Sequence, residues 1–157
     1  MSTNPAPNEE SSAVQAHLTI MQGVINRMAE NSRSCKVWCV TLVAAVLVLV
    51  ARTGESQHAL IALVPSGLLW FLDAYYLGLE RRFRNSYNDF VAKVHRGTVG
   101  VTDLYEVKPV GSGIGQFLWA MFRSPSTLPF YVLVTVTILL AWWLIIPSDT
   151  PLAGGKP

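Results

Sequence analysis

Charge is what this sequence has least of. Only 14% of its 157 residues are Asp, Glu, Lys or Arg, against about a quarter in an ordinary soluble domain. Intrinsic disorder of the whole chain needs the opposite composition and is excluded. Cysteine is nearly absent, and two residues cannot make a disulfide scaffold. Histidine is scarce too: His17, His58 and His95 are scattered along the chain, with no His-Glu-x-x-His and no Cys-x-x-Cys. Cys35 and Cys39 stand four apart but lack two further ligands. No nucleophile, base and orienting group come together in the pattern. No catalytic, cofactor-binding or metal-ligating residue is therefore assigned, no cofactor is expected, and the chain reads as something other than an enzyme. A net charge of +2 gives no reason to expect direct nucleic-acid binding.

What the sequence has is apolar length: 51% of residues are hydrophobic, and they come in blocks. The first is 37–51, uncharged between Lys36 and Arg52. It is short of the roughly 20 residues that cross a bilayer core, but Lys36 can snorkel and extend it. The second, about 59–79, is interrupted by one acid, Asp73. The third lies within 124–147 and ends near Trp142 and Trp143, an aromatic interface anchor. The expected fold is all-α and integral to a membrane, with three transmembrane helices. The N-terminal region has no apolar stretch ahead of the first span and carries Glu9, Glu10 and Glu30, which excludes a secretory signal peptide. Residues 1–11 read as a disordered tail and 148–157 as an external tail.

Loop charge sets an orientation. Ten of the twelve basic residues flank the chain on one side: Arg27, Arg33 and Lys36 before the first span, the others between the second and third. The positive-inside rule makes that side cytoplasmic. The expected location is a bacterial inner membrane, with the N-terminus inside and the C-terminus outside.

The cytoplasmic part reads as helical. Ser11 and Ser12 can cap a helix, and Val14, Leu18, Met21, Ile25 and Met28 then form a heptad stripe. Residues 12–51 read as one helix. Tyr76, Leu79, Phe83, Tyr87, Phe90 and Val94 continue the second span in the same manner, with Gly97 as a stop. The polar turn 52–57 makes the two helices antiparallel neighbours. The result is a long helical hairpin over 12–96 that extends into the cytoplasm. Pro65 is tolerable in a membrane helix and a possible kink. Residues 97–123 have no clear period. Gly111 opens a glycine-rich stretch that lacks the rest of a phosphate loop and reads as flexible. The segment ends in an interfacial helix.

With the hairpin folded about Gly54 and Glu55, Asp73 lies opposite Lys36. An acid at that depth is expensive unless paired. Asp73 with Lys36 or Arg33 is the expected structural ion pair, with proton or ion handling by Asp73 as the alternative. Arg81, Arg82 and Arg84 set orientation and are candidates for lipid or ligand contact.

Two stretches carry a resemblance: 25–38 (INRMAENSRSCKVW), running into a span, and 72–87 (LDAYYLGLERRFRNSY), running out of one. Together they resemble a group of small, uncharacterised bacterial multi-pass membrane proteins similar to short membrane effectors of anti-phage defence modules. The resemblance covers roughly 14–95 and touches Arg27, Asn31, Ser32, Lys36, Trp38, Asp73, Tyr75, Tyr76, Glu80, Arg81 and Arg84. It implies a shared membrane core and no particular chemistry. The expected function is a homo-oligomer acting on the bilayer itself, a pore-forming or depolarising effector of a defence or stress module. The alternatives are an anchor or sensor subunit docking a cytoplasmic partner protein, and a small ion transporter using Asp73.

Overall fold

The structure is a computed structural model and describes residues 11–111 and 122–144. The calls on the terminal tails, most of the glycine-rich stretch, most of the interfacial helix and residues 145–147 lie outside the described residues.

Every described regular element is helical. Helix α1 spans Ser12–Thr53, a 42-residue rod about 60 Å long. It contains no proline and one glycine, Gly23, so nothing in the sequence interrupts it. Gly54 ends it with φ 72° and an N–H that reaches back to the Val50 carbonyl at 2.9 Å. That left-handed residue is strained for anything but glycine. A 3-10 segment, Ser56–Ala62, follows. Helix α2 spans Leu63–His95. A short 3-10 turn at Val101–Asp103 precedes helix α3, Leu128–Leu144.

Helices α1 and α2 form an antiparallel hairpin in one mirror register along its length. Gln22 Nε2 donates to the Tyr87 hydroxyl at 3.2 Å, and Lys36 faces Asp73. Ser12–Thr53 and Ser56–His95 are each long and apolar enough to cross a membrane. Helix α3 is apolar but has 17 residues, about 26 Å against a hydrocarbon core of about 30 Å. It packs on the 3-10 segment and both long helices.

Several local expectations are corrected. Ser11 occupies the N-cap, but neither it nor Ser12 provides a side-chain cap; the Ser11 carbonyl accepts the Gln15 N–H at 3.1 Å. The 52–57 turn is only Gly54 and Glu55, because Ser56 already starts the 3-10 segment. Pro65 is the third residue of α2, in the first turn, where a missing N–H costs little. The third apolar helix starts at Leu128, inside the expected 124–147. Ser124 to Thr127 form a turn in which the Ser124 carbonyl accepts the Thr127 and Leu128 N–H groups at 3.1 and 3.0 Å.

The largest correction concerns the segment after α2. Gly97 adopts φ 66°, and a Schellman motif closes the helix: Gly97 N–H to Val94 O at 2.9 Å and Thr98 N–H to Lys93 O at 3.1 Å. The chain then runs back along the hairpin as a strap. Val99 is buried with Val14, Met21 and Phe90, and Leu104 and Val107 pack against them. The loop expected from 97 onward, read as having no period, thus contributes Val99, Leu104 and Val107 to a core. Short apolar residues without a period seal a seam from outside it, and a periodicity argument cannot register that.

Candidate functional site

One seam runs the length of α1. Its distal half is the expected heptad stripe: Val14 and Met21 are buried and Leu18, Ile25 and Met28 half-buried. Its turn-proximal half keeps the spacing and changes the chemistry. The buried positions become Ser32, Cys35, Cys39, Val43 and Val50. On α2 the buried residues are Ser66, Asp73, Ala74, Leu77, Gly78, Glu80 and Phe90. The expected Tyr76, Leu79 and Phe83 are only half-buried. Small residues let the two backbones approach closely, so the contact face there is not the most hydrophobic one.

At the centre of this seam Asp73 is fully buried. Lys36 Nζ lies 2.6 Å from Asp73 Oδ2, and the Ser32 hydroxyl donates to Oδ1. Lys36 also reaches Ser32 Oγ at 3.5 Å. Tyr131 from α3 stands near the same carboxylate, and its hydroxyl donates to the Leu69 carbonyl at 3.1 Å. Its ring stacks on Trp70 with centroids 5.7 Å apart. Three helices therefore converge on one carboxylate. Three residues beyond Lys36 on α1, Cys39 Sγ contacts Ser66 Oγ at 3.8 Å, and that hydroxyl donates to the Ala62 carbonyl at 2.8 Å. Each seam hydroxyl has a backbone or carboxylate acceptor, as a buried polar group requires.

Of the residues singled out in the sequence, Lys36 and Asp73 come together. Arg33 does not join them: it is exposed and pairs with Glu30 at 3.2 Å. A residue three positions before Lys36 points away from the seam. The arginine run divides. Arg84 pairs with Glu80 on its own helix, Arg81 donates to Ser124 Oγ at 3.0 Å, and the Arg82 carbonyl accepts the Val110 N–H at 3.4 Å under the strap. Residue chemistry alone missed Ser32, Glu80 and Tyr131. The resemblance touched the first two. The signal for Ser32 was its place four residues before Lys36, on the same helical face.

A second polar cluster holds the strap. His17 is buried, its ring 4.4 Å from that of Phe90. The Tyr105 N–H donates to His17 Nδ1 at 2.9 Å, and Tyr105 takes the unusual φ of 66°. Nδ1 is thus an acceptor, which only neutral imidazole supplies. Burial lowers the His17 pKa, opposed by Asp103. Asp103 accepts from Lys93 Nζ at 2.8 Å and from the Gly100 N–H at 2.9 Å, and these bonds hold its carboxyl below the usual range.

Among the described residues no cluster of His, Cys, Asp and Glu suits a metal ion. Both cysteines are free and buried in the seam. Searches of known protein families, curated proteins and solved structures find no match to this chain.

Proposed function

We propose that this protein crosses a bacterial inner membrane three times, N-terminus inside, and that several copies act together on the bilayer as a depolarising effector. The observation that carries the membrane part is the apolar outer face of the turn-proximal half. Val37, Trp38, Val48 and Leu49 of α1, Val64 and Leu68 of α2, and Leu133 and Trp143 of α3 are all more than half exposed. In water that surface would drive aggregation; in lipid it is the required coat. The basic flank beginning at Lys36 supports the orientation. Sequence resemblance to short membrane effectors supports the mode of action. A single copy surrounds its polar groups with packed side chains, so ion passage in this reading requires an assembly, and no catalytic step is involved.

A second reading, an anchor that docks a cytoplasmic partner, is favoured by the groove beside the strap. That groove brings the charged Asp89, Lys93, Asp103 and Glu106 together beside Met21, Phe90 and Val110.

Expression in bacteria with a voltage-sensitive dye separates the two. Depolarisation that scales with inserted protein is expected for the effector. Intact potential with full insertion, together with a stoichiometric partner on purification, rejects the effector and selects the anchor.

A further inference from the structure

The outer surface of the α1–α3 contact carries three grooves that join end to end. The first, at the polar end, is lined by Ser32, Arg33, Lys36, Glu80 and Ser126. The second shares Lys36 with it and continues past Val37 and Val40 to Phe130. The third shares Val40 and Phe130 with the second and runs on along Ala44, Leu47, Leu133 and Val134. This last part has a volume of ≈ 270 Å³ and an almost wholly apolar lining. The joined groove is therefore polar at one end and apolar along the rest.

Its length has a meaning. From Lys36 to Leu47 the helix rises about 16 Å, half of a hydrocarbon core of about 30 Å. That is the depth of one leaflet. Its polar end also has the right charge. Arg33, Lys36 and Glu80 line it; Arg84 pairs with Glu80, Arg33 with Glu30 and Lys36 with Asp73, and Arg81 bonds the Ser124 hydroxyl, which also accepts the Ser126 N–H. One positive charge is left over among these groups. Lys36 gives protons to Asp73 and Ser32, and an ammonium has a third N–H to offer. Ser126 adds a hydroxyl beside it.

We infer that this groove is a binding site for one anionic phospholipid of the inner leaflet. Its phosphate is held by Lys36 and Arg33, and one acyl chain lies along Val40, Ala44 and Leu47 against α3. The inference rests on the membrane reading above. Lipid tails gain little by leaving other lipid tails, so selectivity comes from the charged end and the apolar groove fixes the stoichiometry.

The test is native mass spectrometry of the full-length protein released from detergent after addition of phosphatidylglycerol or phosphatidylcholine. One phosphatidylglycerol retained per chain, in preference to phosphatidylcholine, is expected. Ala44 is exposed at the groove floor, so Ala44→Trp fills the groove without disturbing the seam and lowers retention about tenfold. Arg33→Gln lowers it about fivefold, and Arg33→Lys restores most of it. Equal retention of the two lipids, or an Ala44→Trp variant that binds as before, overturns the site. Extraction of bacterial membranes with alkaline carbonate keeps the two claims apart. Chain that stays in the pellet but binds lipids indiscriminately refutes the lipid site alone. Chain released to the supernatant refutes the membrane reading and the site together.

Discussion

The two halves of the α1–α2 hairpin share one backbone geometry and differ in what their seams bury. The distal half is closed by an apolar seam, Val14, Met21 and Phe90, with Val99 of the strap laid over it. The turn-proximal half adds polar residues, Ser32, Ser66 and Asp73, to an apolar cluster in which Cys39, Val43 and Ala62 meet Tyr131, Val134 and Ile138 of α3. Outside, the pattern reverses: the distal half shows polar residues and the turn-proximal half shows Trp38, Leu49 and Val64. In water the apolar interior drives association. In an apolar surround that drive vanishes, and close packing with internal hydrogen bonds has to replace it. The hairpin keeps one heptad seam and changes the side chains on it where the proposed solvent changes.

The comparison breaks most sharply at Asp73. Asp73→Leu leaves Lys36 without its carboxylate and is expected to cost about 4 kcal/mol, read from unfolding of the detergent-solubilised protein. Asp73→Leu with Lys36→Leu is expected to recover at least half of that. If the double variant is no more stable than the single, the pair is not what holds this half.

In the other half the matching change is Phe90→Ala. Loss of a buried aromatic ring is expected to cost about 3 kcal/mol. Because the two positions lie about 26 Å apart along α2, its effect and that of Asp73→Leu should add. Strong coupling between them would show that the hairpin behaves as one unit.

The strap responds to acid. His17 is neutral when folded and its pKa is lowered, so the unfolded state binds more protons below its ordinary value of 6.5. The contribution of His17 is complete above that value and is lost as pH falls below it toward the folded pKa. Asp103, also lowered, acts in the same direction at lower pH, with stability lost as it becomes protonated. Acidification below about pH 6.5 should therefore loosen the strap before the turn-proximal half. The Tyr105 amide resonance in NMR reports it, and His17→Phe should remove the dependence on pH near neutrality. A Tyr105 amide that is unmoved in the wild-type protein would refute the clasp.

The smallest effect is at the end of α2. Gly97 holds φ 66° with open space where a Cβ would lie, so Gly97→Ala meets backbone strain alone, about 1 kcal/mol. Faster amide exchange at Thr98 and along the strap, with the turn-proximal half unchanged, is the expected result.

Much of this architecture was legible in the sequence. The unbroken run from Ser12, the turn at Gly54 and the stop at Gly97 follow from local chemistry. The register that sets Lys36 against Asp73 follows from counting outward from the turn. The second stripe was misjudged at Tyr76, Leu79 and Phe83 because Ala74, Leu77 and Gly78 take the contact face there. The cap at Ser11 failed because its side chain makes no bond to the first turn, although its carbonyl does.

By itself the sequence determined the helices, their order, their antiparallel pairing and the charge asymmetry between the two ends. Those depend on periodicity, glycine placement and composition, which are local properties. Only the tertiary structure decided that Ser32 and Tyr131 join Asp73, that Arg33 stays outside, and that residues 99–107 fold back onto His17. Each of these depends on which side chains meet across separate elements. A contact between residues 17 and 105 leaves no periodic trace in either segment, because its energy arises only when the two surfaces have already been brought together.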